Sequence, residues 1–159
     1  MKWGICMKTR CDFVTNSSSS SFILAFENED SIKTELANEN TDGHLETIYK
    51  DVMAAERYSK EKILEEYRDD IYYKTKWQVE EYFERTMHMS YKEVRELENS
   101  EMFKSMVEKE LQSKIDILSK KMEGNSVFVM VEYDDHCNSE LEHHIMPYLN
   151  CCMERISHH

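Results

Sequence analysis

The sequence contains little glycine or proline and no long hydrophobic run. Three glycines and one proline among 159 residues supply too little turn chemistry for an all-β fold of many short strands, so helix is expected to predominate. No stretch approaches the roughly 18 to 20 apolar residues that span a bilayer, and no apolar signal-peptide segment follows the basic N-terminal residues. We therefore expect a cytoplasmic protein without membrane association.

Positive charge is also scarce. The chain has 32 acidic and 20 basic residues, a formal net charge of -12. A surface of that sign repels phosphate backbones and does not favour unassisted binding to nucleic acid. The same charge suits a protein partner with a basic surface, such as a nucleic-acid enzyme with a basic channel. Solubility alone is the simpler interpretation.

The composition and length are those of one folded domain. An apolar fraction of 40%, with 11% aromatic residues, is too high for a disordered chain, and a chain of this size forms a single core by default. The five cysteines are an odd number, and in a reducing compartment they are expected to be thiols or metal ligands.

Apolar spacing divides the chain into strand-like ends and a helical middle. Residues 22–26 and 126–133 are short β-rich runs, and a last strand is expected near 151–156. From Asp30 to Gly124 the apolar residues recur at helical spacing. The positions expected to face the core there are Leu45, Ile48, Val52, Met53, Ile63, Leu64, Tyr67, Ile71, Trp77, Tyr82, Phe83, Met87, Phe103, Val107, Leu111, Ile115, Leu118 and Met122.

Several polar residues mark the expected ends of the helices. Ser59 has the position of an N-cap, Ser90 followed by Glu93 has capping-box spacing, and Gly124 is placed as a C-cap. The other N-cap candidates are Asp30 or Ser31, Thr41, and Ser139, which begins a short helix that Pro147 ends. The pattern predicts one α+β domain, in which a small sheet formed by the end segments 1–27 and 125–159 carries the helical middle, 28–124.

Histidine is concentrated at the C-terminal end, where five of the seven occur among acidic residues. Imidazole and carboxylate oxygens suit divalent metals such as Zn, Fe or Mn. We therefore consider His143, His158 and His159 as metal ligands. Solvated surface histidines are the alternative, because no HExxH or CxxC spacing is present.

Carboxylates follow the second predicted strand. Asp134 and Asp135 come directly after it, where paired carboxylates often hold a metal or act as a general base. Asp135 and Glu142 are the candidate catalytic bases or ligands, and Asp134 is a candidate ligand-binding residue. A hydrophilic turn is the simpler explanation of the two aspartates.

Hydroxyl groups precede the first predicted strand. Asn16 is followed by five serines, Ser17, Ser18, Ser19, Ser20 and Ser21, which could bind a phosphate or another anion. One serine could be a nucleophile if His158 or His159 lies beside it. The run lacks the glycines and lysine of a P-loop, and a loop whose hydroxyls satisfy backbone groups is the structural alternative.

Two motifs resemble those of a known group of proteins. The N-terminal FVTNSSSSSF run, residues 13–22, is similar to the FV[ST]NSSSSSF opening of a group of small proteins of bacteriophages and their bacterial hosts. The C-terminal Leu141-Glu142-His143 and Ile156-Ser157-His158-His159 segments resemble the end of the same proteins. The resemblance covers about 35 residues. It implies a site shared by both termini and a phage or mobile-element setting, and it implies no substrate.

The leading hypothesis is a polar site at one end of the sheet that binds or acts on a phosphate-containing ligand, with a divalent metal as the candidate cofactor. The rival is an acidic protein-interaction module, such as an inhibitor of a host defence complex, in which the serine and histidine motifs are structural. An enzyme site should cluster its polar residues in a concave pocket. An interaction module should instead expose a contiguous acidic or apolar face.

Overall fold

A computed structural model describes residues 19–37, 44–134, 136 and 139–158. Its main elements are β1 (Ser19–Phe26), α1 (Ser31–Ala37), α2 (Leu45–Ala54), α3 (Lys60–Arg85), α4 (Tyr91–Leu97), α5 (Glu101–Lys121), β2 (Val127–Asp134) and β3 (Cys152–His158). A π-helical turn, Leu141–Ile145, and a 3-10 turn, Met146–Tyr148, lie between β2 and β3. The predicted α+β class is confirmed.

The three strands form one antiparallel sheet in the order β2-β1-β3. The N-terminal strand is central, and both C-terminal strands pair with it. Ser19 is thus opposite Asp134 on one side and His158 on the other. The prediction that the two chain ends share one sheet is confirmed.

The sheet lies between two helical layers, because successive side chains of β1 point to opposite faces. Phe22, Leu24 and Phe26 pack with α1, α2 and the turns before β3. Ile23 and Ala25 belong to the core that continues through α3, α5 and α4. We call the first side the α1–α2 face of the sheet. We call the second side the arm face, after the long helical hairpin formed by α3, α4 and α5.

The second layer is a helical hairpin with its own core, which we call the arm (Lys60–Lys121). Its first helix begins beside the sheet, where Tyr58 pairs with Phe128, and at 1.5 Å per residue its 26 residues extend about 39 Å. Phe83 and Phe103 stack at the other end, with ring centroids 6.0 Å apart. The C-terminal end of α3, the N-terminal end of α5 and the short helix α4 therefore lie at the far end of the arm from the sheet.

Local capping explains where the arm helices begin and end. The Ser59 side chain accepts a hydrogen bond from the backbone of Lys62, and Ser90 and Glu93 form the predicted capping box. After α5, Gly124 has φ +83°, the left-handed conformation typical of a helix C-terminus. The Ser59 cap and the Ser90–Glu93 capping box are confirmed, whereas the C-cap of α5 is Met122, two residues before Gly124.

The expected core stripe through Trp77, Tyr82, Phe83 and Met87 is wrong except at Phe83. Trp77 is 57% exposed, and Tyr82 and Met87 are also exposed. The helix α3 is unbroken, and its buried positions recur every four residues: Ile63, Tyr67, Ile71, Thr75, Val79 and Phe83. Trp77 lies two residues, or about 200°, from buried Thr75, and so faces away from the core. Met53 is exposed as well.

The C-terminal segment also departs from expectation. The short helix expected before Pro147 is a π-helical turn followed by a 3-10 turn that contains this proline. The last strand begins and ends later than predicted, because its pairing with β1 continues as far as Ser19 and His158. His158 consequently belongs to a strand. Among the described residues, no helix is long and apolar enough to cross a membrane.

Candidate functional site

The predicted site residues that the structure describes gather at the serine end of the sheet. Ser19, Ser20 and Ser21 open the central strand, and their neighbours across the sheet are Asp134, Tyr133 and Glu132 on β2 and His158, Ser157 and Ile156 on β3. Asn16, Ser17, Ser18, Asp135 and His159 lie outside the described residues, as does the proposed cap Thr41.

Strand alternation divides the serines between the two faces. Ser20 is on the side of Phe22 and points to the α1–α2 face, whereas Ser19 and Ser21 are on the side of Ile23 and point to the arm face. The serine end therefore carries two polar clusters separated by the sheet.

The first cluster, on the α1–α2 face, joins both chain ends. The Ser20 hydroxyl donates a hydrogen bond of 2.8 Å to Glu142 Oε1. Arg155 Nε donates to the Ser20 hydroxyl oxygen at 3.2 Å, and Arg155 Nη2 lies 3.4 Å from the same carboxyl oxygen. Ser20 and Glu142 have no exposed surface. We call this cluster the Ser20–Glu142–Arg155 triad.

The second carboxyl oxygen of Glu142 is less well satisfied. Oε2 is buried and accepts no hydrogen bond from the residues that the structure describes. The imidazole of exposed His143 has its Nε2 3.5 Å from this oxygen, beyond ordinary hydrogen-bond length. A buried carboxyl oxygen without a hydrogen bond costs free energy, so a cation or donor bound at the Glu142–His143 edge would stabilise the protein.

The same face contains a second polar contact that the sequence did not suggest. The Tyr133 hydroxyl donates a 2.7 Å hydrogen bond to Asp51 Oδ2 and thereby joins β2 to α2. Burial, together with the neighbouring carboxylate, raises the pKa of Tyr133 well above its usual range. This phenol stays protonated at neutral pH and acts as a donor.

The second cluster, on the arm face, is a serine–histidine pair. Ser21 Oγ lies 2.9 Å from His158 Nε2, within hydrogen-bond distance, and the contact is part-buried. The tautomer of the ring decides which group donates. A histidine that accepts from a serine hydroxyl has the arrangement of a general base and its nucleophile, and the same bond also ties β3 to β1.

The two clusters do not combine into one metal centre. The described histidine candidates lie on opposite faces, with His143 beside Glu142 and His158 beside Ser21. Asp134 accepts a hydrogen bond from the backbone of His136 through Oδ1, at 2.9 Å, in an exposed turn. Within the described ranges, no group of three His, Cys, Asp or Glu side chains has the geometry to hold a metal ion.

Cys152 lies at the opposite end of β3, across from Leu24, and adds no nucleophile to the site. Burial raises the pKa of its thiol to about 11, so the thiolate that attacks or binds metal is scarce at neutral pH. This favours the interpretation of Cys152 as a packed core thiol.

Arg155 was absent from the predicted site, although the sequence contained a usable signal. It is the only lysine or arginine after Lys121, in a segment rich in acidic residues. A single cation among many carboxylates is a candidate partner for whichever carboxylate becomes buried. Its contact with Glu142 required the register of β3, which the sequence did not define.

A different surface stands out on the arm. Tyr73 and Trp77 are 78% and 57% exposed and lie one turn apart on the outer side of α3. A helix face turned to solvent usually carries polar residues, and exposed aromatic residues are enriched at protein interfaces.

Comparison of the chain with protein-family models, curated proteins and solved structures found no match.

Proposed function

We propose that this chain is a protein-interaction module whose docking element is the arm. The observation that carries the proposal is the exposure of Tyr73 and Trp77, at 78% and 57%, on the face of α3 opposite its buried residues. The Tyr73 ring meets the neighbouring Tyr72 ring edge-on, at 5.4 Å between centroids, and most of the Tyr73 and Trp77 side chains remains open to solvent. Large exposed aromatic side chains have their greatest energetic value when a partner buries them.

In this proposal the serine and histidine motifs hold the scaffold together. The Ser20–Glu142–Arg155 triad and the Ser21–His158 pair each connect the N-terminal strand to residues more than a hundred positions later. Ser20 and Glu142 have no exposed surface for a ligand to reach. A rigid sheet secured at both chain ends is a suitable base for a long arm, because a rigid docking element loses little conformational entropy on binding.

The charge distribution narrows the range of partners that net charge alone suggests. Acidic and basic residues nearly balance along the arm, whereas the segment after α5 has Arg155 as its only lysine or arginine. The excess of acidic charge therefore lies mainly in the segments before α3 and after α5. It adds long-range attraction to a basic partner, while the arm supplies the apolar contact. The phage setting implied by the motifs makes a host protein complex the first class of partner to test.

Site-specific photo-crosslinking tests the proposal. A photoreactive phenylalanine analogue replaces Tyr73, Trp77 or the control Tyr148, which is 78% exposed but lies outside the arm. In cells that naturally produce the protein, positions 73 and 77 should give the same adduct, and position 148 should not.

The crosslinked protein is then identified by mass spectrometry and purified. It should bind wild-type chain about tenfold more tightly than the variant Tyr73→Ser/Trp77→Ser, the loss typical when an interface anchor is truncated. Equal labelling at all three positions, or unchanged affinity of the double variant, contradicts the proposal.

A site for a phosphate-containing ligand or a divalent metal is the second candidate function. It is supported by the 2.9 Å contact between Ser21 and His158 and by the buried Glu142 Oε2 beside His143. In that role the serines hold the anion, and the carboxyl group binds a cation or accepts a proton. Elemental analysis of untagged protein tests it: stoichiometric Zn, Fe or Mn favours this candidate, and metal-free protein that ignores added phosphate esters removes it.

A further inference from the structure

The outer side of α3 has the spacing of a coiled-coil seam. Six positions separated alternately by four and three residues form one line, which we call the outer stripe: Glu66, Asp70, Tyr73, Trp77, Glu80 and Glu84. A stripe with this 3.5-residue period stays in register with a second helix that winds around the first. The line is separate from the buried one, which advances by four residues at a time and faces the arm core.

The stripe has an apolar centre and acidic ends. Tyr73 and Trp77 occupy its middle and are exposed, whereas all four outer positions carry carboxylates. Two of these carboxylates also reach lysines of α3, with Glu66 3.2 Å from Lys62 and Glu80 3.4 Å from Lys76. Glu66 and Glu80 are partly buried, with side chains 18% and 23% exposed. An ion pair between residues four apart on one helix contributes little free energy, so a partner's cation can replace the lysine.

The charge pattern excludes a second copy of this chain as the occupant. In a parallel pair each outer carboxylate meets its own equivalent. In an antiparallel pair centred between Tyr73 and Trp77, Glu80 faces Asp70 and Glu84 faces Glu66. Both arrangements place carboxylates against carboxylates, and the repulsion between like charges along the seam disfavours a dimer through this stripe.

We infer that the outer stripe docks a partner's amphipathic helix that has apolar residues at its centre and lysine or arginine at both ends. This inference rests on the proposed function and names the partner of the same surface. The stripe spans 18 residue steps, about 27 Å of helix, so the partner segment needs about five turns. Its apolar residues pack around Trp77 and Tyr73, and its cations meet Asp70 and Glu66 at one end and Glu80 and Glu84 at the other.

Synthetic peptides test the chemistry of the occupant directly. The probe is a labelled peptide of about 21 residues, or three heptads, with leucine at the two central seam positions and lysine at the outer ones. One control peptide has glutamate in place of those lysines. A second has the composition of the probe in scrambled order, which removes the seam but keeps the charge.

Binding to the full chain is measured by fluorescence anisotropy at physiological salt. The probe should bind at least about tenfold more tightly than either control peptide. Tyr73→Ser/Trp77→Ser should weaken its binding about tenfold, and Tyr148→Ser should leave it unchanged. Glu80→Lys/Glu84→Lys should shift the preference toward the glutamate peptide, since it reverses the charge at one end of the stripe.

Three results overturn the inference. Equal binding of the scrambled peptide means that charge alone acts, and equal binding of the glutamate peptide means that the acidic ends play no role. A dimer in sedimentation that Tyr73→Ser/Trp77→Ser abolishes makes a second copy the occupant. The crosslinking experiment separates this inference from the proposed function. If positions 73 and 77 crosslink to a partner that has no basic helix, only the inference about the partner is wrong. If they give no specific crosslink, the docking role of the arm is wrong as well.

Discussion

The hydroxyl of Ser20 donates a 2.8 Å hydrogen bond to the buried carboxyl group of Glu142, 122 residues further along the chain. The bond connects the central strand to the π-helical turn, and Arg155 on the adjacent strand contacts both residues. A π-helical turn is a rare departure from α-helical hydrogen bonding. Here the turn contains the carboxyl group that accepts the hydrogen bond from Ser20.

Loss of Arg155 should destabilise the fold strongly. Arg155→Met removes the cation that faces a fully buried carboxyl group, and breaking one side of a buried ion pair typically costs about 3 kcal/mol or more. Urea unfolding measures the loss. The double variant Arg155→Met/Glu142→Met should recover part of it, because no uncompensated carboxyl group remains buried. A double variant less stable than the sum of the two single changes contradicts this account of the triad.

Alkaline pH should weaken the fold. Burial and the hydrogen bond to Asp51 raise the pKa of Tyr133, and burial with the Glu154 charge raises that of Tyr67 to about 12. The unfolded chain loses these protons near pH 10 while the folded chain keeps them, so the contribution of the two phenols to the free energy of unfolding is fully present below that pH and is lost above it. Cys152, with a pKa raised to about 11, begins the decline nearer pH 9.

Thermal melts between pH 8 and 11 measure this decline. Tyr133→Phe should flatten the curve because the variant has no phenolic proton to lose. Tyr148→Phe changes an exposed tyrosine and should follow the wild type. A wild-type melting temperature that stays constant to pH 11 contradicts the assignment.

Two aromatic positions on α3 should differ sharply in their effect on stability. Phe83 is buried and stacks on Phe103, so Phe83→Ala should cost about 3 to 5 kcal/mol. Trp77 packs little in the free chain, and Trp77→Ser should change stability by about 0.5 kcal/mol or less. Chemical denaturation of both variants checks the orientation of the helix. A large loss from Trp77→Ser shows that this side chain belongs to the core.

The sequence predicted the fold class and the terminal sheet because β-rich runs and capping residues act locally. It predicted most of the α5 core from one regular stripe, and Phe103, Val107, Leu111 and Leu118 are buried as expected. It did not orient the second half of α3. Exposed aromatics there mimic a core stripe, and periodicity alone cannot distinguish packing within the chain from a surface left for a partner.

The side-chain contacts at the serine end could not be predicted from local sequence patterns. The sequence placed serines, carboxylates and histidines near both termini, but strand pairing decides which of them meet. A shift of one residue in the pairing of a strand moves every side chain to the opposite face. Ser20 therefore meets Glu142 on one face while Ser21 meets His158 on the other, a separation that composition could not show.

The turn after α5 should depend on glycine for conformational reasons alone. Gly124 has φ +83°, and a side chain added there would meet no atom within 4 Å. Gly124→Ala should thus destabilise by about 1 kcal/mol through backbone strain only. Gly124→Asn should cost less, since asparagine tolerates this region. Urea unfolding of both variants measures the difference, and equal stability of the alanine variant and the wild type contradicts the left-handed assignment.

His158 distinguishes a structural role of the terminal motif from a metal-binding one. As a tie between β3 and β1, it should contribute about 1 to 2 kcal/mol through its bond to Ser21. His158→Ala and Ser21→Ala should then cost similar amounts, and the double variant should cost less than their sum because both remove the same contact.

As a metal ligand, His158 should instead let added Zn or Mn raise the melting temperature of the wild type, since a metal that binds only the folded state stabilises it by mass action. Thermal melts of the three variants and the wild type, with and without each metal, separate the roles. Additive losses contradict the structural tie, and a metal-dependent rise that His158→Ala abolishes supports the second candidate function.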